Sequence, residues 1–306
     1  MIVLCGAQHA EPSVPRVLRE LGVVGPVAMV TAGWQEREGE AGVVADPGVA
    51  VVELGLHARG EQVFADDARL AEAYKARQLK LKLMQEAYRV RLEYAAQAAR
   101  AVAVRSADPE LAAEEQAASL ELFRYIDRDH LARCRAVHAE FEAQLQPRDR
   151  PVLARHIQEL RRAIEPTDAI VIAGGHVAVL LNRLRLFGIA ELAGPRPIVA
   201  WSAGAMALTE RVVLFHDDPP HGQAISELLE AGLGLAKGVV VLPEPRLRLH
   251  LDDRARVGEL AARYTPAVCI ALDHGAQIWV DDGRPIRAVS AQRLDPSGDV
   301  QPGWAP

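Results

Sequence analysis

The apolar run Pro197, Ile198, Val199, Ala200, Trp201 ends in Ser202 and passes at once into Ala203, Gly204 and Ala205, a helix-forming stretch. That order sets a hydroxyl on a strand-to-helix turn. Such a turn tolerates only small neighbours, and Ala200, Ala203 and Gly204 meet that need. The chemistry it suggests is nucleophilic attack, with the hydroxyl raised above the carboxyl edge of a sheet, where open α/β folds bind ligands. The first N–H groups of the next helix, that of Ala203 foremost, aim at the same space and can hold an oxyanion. Without that chemistry the same residues read as a core strand followed by a serine helix cap. Ala173, Gly174, Gly175 and His176 form a second strand-to-helix passage. Its paired glycines let backbone approach closely and expose N–H groups, so Gly175 is a candidate second oxyanion donor; a structural turn is the plainer reading.

A serine hydroxyl becomes nucleophilic when a neighbouring base takes its proton, so one of the ten histidines must serve. Another set of reactive types is His130, Cys134 and His138, spaced four apart on one helical face with Asp127 and Glu142 near. That spacing can align metal ligands. The companion helix offers only Glu86 and Glu93, and Ile126, Val137 and Phe141 run through the same stretch, so a packed helix is the expectation. No metal and no other cofactor is expected.

The elements that must position Ser202 follow from patterning. Short β-branched runs at 2–4, 27–30 and 49–54, with a helix near 13–21, predict a parallel sheet covered on both faces. From Asp66 to about Gln146 glycine is absent and Pro109 is the one proline. Tyr74, Leu81, Tyr88, Ala95 and Val102 recur every seven residues, with Leu70, Met84, Leu92 and Ala99 beside them, which predicts a long amphipathic helix. Asp108, Pro109 and Glu110 start a second one, marked by Leu111, Ala118, Leu122, Ile126, Cys134, Val137, Phe141 and Leu145. After Pro147 the α/β texture returns: helices at 151–164, 177–187 and from 203, and strands at 169–173, 197–201, 239–242, 268–272 and 277–280. Asp282 and Gly283 then turn a hairpin. The fold class is α/β: a doubly wound, mainly parallel sheet from residues 1–65 and 148–295, interrupted by a helical hairpin over 66–147, with a loose tail over 296–306.

Composition agrees with this reading. The 306 residues are 50% hydrophobic and 25% charged, with a net charge of −6, which excludes a disordered chain and gives no general pull toward nucleic acid. Cys5, Cys134 and Cys269 are too far apart for a disulfide framework or a zinc pair. No apolar run reaches membrane-spanning length, and the N-terminus enters a strand without a basic leader, so a cytoplasmic protein is expected.

Four stretches, in order, carry a resemblance to a known family. They are 169–175, 201–205, the run Gly232, Leu233, Gly234, Leu235, and His250 with Arg254, Arg256 and Leu260. The chain resembles the dipeptidase E and cyanophycinase family of serine peptidases, which share the class I glutamine amidotransferase-like fold. The likeness covers roughly 1–65 and 148–290 and leaves the hairpin outside. An amidotransferase carries cysteine at the elbow; serine here counts against ammonia transfer, and Trp201 brings the motif closer to dipeptidase E.

The resemblance implies Ser202 as nucleophile, His250 as base and an acid shortly after the serine, which falls on Asp217, with Asp218 and Asp273 in reserve. His274 replaces the glutamate of the family's Asp-Glu-Gly, so that second route to an acid is lost. The likeness also implies a small peptide or amide substrate, aspartyl dipeptides among the candidates, and a cationic clamp drawn from Arg246, Arg248, Arg254 and Arg256. Gly174, Trp201 and Arg254 are the substrate-binding candidates, and Gly175 and Ala203 the oxyanion donors. Two functions compete: a serine hydrolase, and a catalytically inactive binding protein whose hairpin recruits a partner or builds a homo-oligomer.

Overall fold

Short β-branched runs lie where strands cross the middle of the molecule, and the alanine- and leucine-rich stretch forms two very long helices. The structure, a computed structural model, describes residues 1–8, 12–40, 49–105, 108–218 and 225–303. The chain begins β1 (Ile2–Cys5), α1 (Val14–Glu20), β2 (Val27–Val30), β3 (Val51–Glu53) and α2 (Leu56–Asp66). The hairpin helices α3 (Ala68–Arg105) and α4 (Pro109–Leu145) follow. The α/β pattern resumes with α5 (Pro151–Ile164), β4 (Ala169–Ile172), α6 (Val177–Phe187), α7 (Ile189–Ala193), β5 (Ile198–Trp201) and α8 (Ala203–Leu208). Then come β6 (Arg211–Leu214), β7 (Glu227–Ala231), β8 (Val239–Pro243), α9 (Pro245–Arg248) and α10 (Arg254–Tyr264). The chain closes with β9 (Val268–Leu272), β10 (Gln277–Asp281), β11 (Arg284–Val289), β12 (Gln292–Leu294) and β13 (Val300–Pro302).

A seven-stranded sheet in the order β11-β10-β1-β5-β4-β2-β3 is the scaffold. Its five strands from β1 to β3 are parallel, and β10 and β11 add an antiparallel edge. The turn between those two uses Asp282 and Gly283, both at positive φ, as a tight hairpin requires. Helix α1 covers one face, packing Val14, Val17 and Leu18 against Val3, Cys5, Met29 and Trp201. The other face carries α5, α6 and α8 in the main core. The doubly wound reading therefore describes this sheet, but β8 and β9 do not extend it. They pair in parallel within a separate four-stranded sheet, β13-β12-β9-β8, and β6 and β7 form a third. The tail was expected to be loose from 296 and instead supplies β13, because its backbone pairs with β12 from Val300 to Pro302. Residues 304–306 lie outside the described residues.

The hairpin helices pack antiparallel. Asp108 caps α4 by accepting a hydrogen bond from the Leu111 N–H at 2.9 Å, with Pro109 in the first turn. Leu70, Tyr74, Met84, Tyr88, Leu92 and Ala95 on α3 are buried, as are Ile126, Cys134, Val137 and Phe141 on α4. Leu111 and Leu122, two of the apolar residues that mark α4 in the sequence, are about half exposed. The hairpin shares the main core and is also held by charge. Arg263 of α10 reaches both Asp127 oxygens, at 2.7 and 2.8 Å, and the Tyr88 hydroxyl at 3.0 Å.

The reactive trio on α4 is occupied by this packing. His130 stacks on Tyr88 and bonds the Leu229 carbonyl at 3.0 Å, while His138 pairs with buried Glu230 at 2.8 Å. Burial pushes the Glu230 carboxyl up, but His138 and Arg185 outweigh it and hold the group below its ordinary value. The Cys134 thiol is pushed up to about 12 by burial. Among the described residues, no three side chains of ligating type gather as a metal site. No helix among them is long and apolar enough to cross a membrane.

Candidate active site

The turn at Ser202 begins with the register of the sheet. β5 lies between β1 and β4, so its end emerges at the centre of the carboxyl edge. The Ser202 N–H bonds the Cys5 carbonyl at 3.1 Å, continuing the ladder one residue beyond the strand. The chain then reverses into α8 with Ser202 at φ 49°, ψ −120°. A side chain at positive φ is strained, of the order of 1–3 kcal/mol, and strain of this kind gathers at functional sites. The serine is half-buried, and its hydroxyl makes no hydrogen bond among the described residues.

Backbone closes around it. Gly174 is buried against the serine: a Cβ added there would stand 3.0 Å from the Ser202 Cβ. Gly175 has φ +106°, and a Cβ there would stand 2.5 Å from the Gly33 carbonyl oxygen. That carbonyl accepts the His176 N–H at 2.8 Å, fixing the Gly-Gly loop to the segment leaving β2. Residues Gly33 to Gln35 thus belong to the site's frame, although the sequence reading passed over them. Gln35 repeats the backbone of the serine, at φ 59°, ψ −120°. Among the described residues the N–H groups of Gly175 and Ala203 have no backbone acceptor, which leaves both available to an incoming oxyanion.

Two of the expected residues stand elsewhere in role. Trp201 was expected to bind substrate; its side chain is buried in the α1-side core with Cys5 and Trp279, because alternation along β5 turns it inward. Arg254 was expected to do the same, and it pairs with Asp299 at 2.8 Å. The neighbouring arginines are also engaged: Arg246 with Asp273 at 2.6 Å, Arg248 with Glu244 at 3.0 Å and Arg256 with Asp217 at 3.8 Å. Cys5, the thiol nearest the serine along the sheet, is buried and pushed up to about 12 by desolvation, so it is inert as a nucleophile.

His250 lies on the segment after α9 and is exposed. Its Nε2 meets the Asp218 carboxylate at 2.5 Å, while Asp217 accepts the His250 backbone N–H at 2.6 Å. The imidazole is therefore held by Asp218, and Asp217 fixes the backbone that carries it. The two side chains leave consecutive residues of one loop, and one points at the ring while the other points at the chain. The Asp218 hydrogen bond and charge hold the His250 imidazole above its ordinary value; the same bond holds the Asp218 carboxyl below its own.

Among the described residues no hydrogen bond joins His250 to Ser202. A groove of about 1170 Å³ lies beside His250, between α10 and the far half of the hairpin. Asp217, Phe215, Leu249, Ala99 and Leu120 line it, and Ser202 does not. His274, beside the carboxyl end of β1, bonds the Ala7 carbonyl at 3.2 Å. Gly174, Gly175, Ser202 and Ala203 are thus gathered at one point, and His250, Asp217 and Asp218 at a second.

No family model matches this chain, and no curated protein matches it. Among solved structures, the chain is similar to the crystal structure of a peptidase from an acI-B1 Actinobacterium, at 12% sequence identity and a TM-score of 0.37, over 96% of this chain and 90% of that one.

Proposed function

We propose that this chain is a serine hydrolase that cleaves a small peptide or amide bond through an acyl-enzyme. The observation that carries the reading is the backbone of Ser202, a non-glycine residue held at φ 49° where β5 turns into α8. Two N–H groups without backbone acceptors stand beside it. In this reading Ser202 Oγ attacks the carbonyl carbon and its proton passes to Nδ1 of His250, the nitrogen that Asp218 leaves unused. Gly175 and Ala203 hold the oxyanion. The tetrahedral intermediate collapses, the C–N bond breaks, and His250 returns the proton to the leaving amine. Water, activated by the same ring, then cleaves the ester. His250 must close on Ser202 with substrate bound, since catalytic hydrogen bonds tighten in the reacting complex. The finer likeness, to the dipeptidase E and cyanophycinase family on a class I glutamine amidotransferase-like fold, belongs to this proposal and makes aspartyl peptides the first substrates to try.

A second reading is a binding protein without catalysis. It is favoured by the separate engagement of His250 with Asp218 and by the absence of Ser202 from the groove that His250 lines. A dipeptide mixture with α- and β-aspartyl linkages, followed by mass spectrometry, separates the two. Wild type consumes particular dipeptides and Ser202→Ala does not; equal behaviour of the two proteins would refute the hydrolase.

The acid limb of kcat/KM provides a further prediction. Asp218 raises the imidazole, so the basic form of His250 exists only above that raised value. Asp218→Asn lowers it, which moves the acid limb to lower pH and drops the plateau by up to ~10⁴-fold. A pH profile in which the limb stays in place would remove Asp218 from the site.

A further inference from the structure

We propose that the outward face of α3 is the seam of a two-fold dimer, in which a second copy of this chain lays its own α3 antiparallel along the first. The proposal is independent of the hydrolase reading. Leu79, Leu83, Val90 and Tyr94 are 57%, 54%, 52% and 67% exposed. At about 100° per residue they fall within an arc of roughly 60°, with Ala76 at its edge and Ala87 just beyond it, so they form one line and not a scatter. This line differs from the Tyr74, Tyr88 and Leu92 stripe, which the hairpin core consumes. Isolated exposed apolar residues need no explanation, but a continuous line on one helix marks an interaction surface.

The spacing itself indicates the occupant. Leu79 and Tyr94 are equally far from the midpoint between Glu86 and Ala87, and so are Leu83 and Val90. A two-fold axis through that midpoint sets Leu79 against Tyr94 of the partner subunit and Leu83 against Val90 of the partner subunit. A surface that maps onto itself under a two-fold rotation is what an isologous dimer requires. Charge fits the same axis. Lys82 and Glu93 share one flank of α3 and are exposed, and the rotation brings each Lys82 within about a turn of Glu93 of the partner subunit.

A stable interface buries about 800 Å² per partner. The 38 residues of α3 span ~57 Å, and α4 widens the contact. Leu122 and Tyr125, 44% and 58% exposed, lie two turns and one turn before Asp129, which pairs with Arg91 at 2.8 Å. They share its flank of the hairpin. Three elements are unfavourable: Glu86 meets its own copy across the axis, Lys75 comes within a turn of Arg100 of the partner subunit, and Lys82 comes within a turn of Arg89 of the partner subunit, a side chain that Glu227 engages at 2.6 Å within its own chain.

Cysteine cross-linking tests the axis directly. The native cysteines are buried, so an introduced surface thiol dominates the oxidation. Ala87→Cys, close to the axis, forms a covalent dimer under mild oxidation. Leu79→Cys alone does not, since its copy lies ~22 Å away, but Leu79→Cys mixed with Tyr94→Cys does. Light scattering of wild type at ~100 µM gives twice the 33.2 kDa chain mass. Leu83→Glu combined with Val90→Glu returns it to one chain that still unfolds in a single cooperative transition, and Glu86→Gln tightens association several-fold. Self-linking by Leu79→Cys would replace the antiparallel seam with a parallel one, and a wild type that remains at the single-chain mass would overturn the proposal.

Discussion

Ser202→Gly melts at a higher temperature than wild type and hydrolyses nothing. The serine is held at φ 49°, ψ −120°, which costs a residue with a Cβ about 1–3 kcal/mol. Glycine adopts the same backbone without that cost, though its freer unfolded chain returns about 0.5–1 kcal/mol. A net gain of ~1 kcal/mol raises the melting temperature by ~2–4 °C. Ser202→Ala keeps the Cβ and the strain, so it gains nothing in stability while losing the nucleophile. Removal of a catalytic serine can lower kcat by ~10⁶, and both variants fall to background. Thermal denaturation of the three proteins makes the comparison without any knowledge of the substrate. If the glycine variant melts no higher than the alanine one, the elbow carries no stored strain.

Asp127→Ala is the most damaging change expected outside the site. The carboxylate and Arg263 are buried together, with two hydrogen bonds between them, and Arg263 also reaches Tyr88 and the Ser226 carbonyl. Burial alone would push the Arg263 guanidinium down; the neighbouring Tyr264 and Asp127 outweigh it and hold the group well above its ordinary value. Removing the carboxylate leaves a buried cation without its counter-charge, which costs about 3–5 kcal/mol. That corresponds to a fall of roughly 10 °C in melting temperature. The double change Asp127→Leu with Arg263→Met recovers most of it, because a well-packed apolar pair often matches a buried ion pair. A single variant as stable as wild type would show that shared apolar packing alone holds the hairpin to the body.

The parts of this molecule that were legible in the sequence are those with local causes. Ser202 is flanked by the small residues that its turn requires, and the seven-residue recurrence and the Asp108, Pro109, Glu110 start mark α3 and α4. Other parts depend on what meets them in space. β8 and β9 look like further strands of the main sheet, and only their pairing with each other and the non-local pairing of β9 with β12 assign them to another. Asp217 and Asp218 are adjacent and alike, and the direction of each side chain decides which one holds the imidazole. Asp127 and Glu230 take their roles from Arg263, His138 and Arg185, which arrive from distant elements. Trp201 could have been placed from alternation along β5, which turns it toward α1; the motif drew attention to its position and away from its direction.

The central claim is that Ser202 is an activated nucleophile. A fluorophosphonate probe tests it most directly, with intact-mass and peptide mass spectrometry of wild type beside Ser202→Ala. The account predicts a single adduct on the peptide containing Ser202, formed by wild type and absent from the alanine variant. A wild type that labels no faster than Ser202→Ala would contradict it and leave the chain a binding protein.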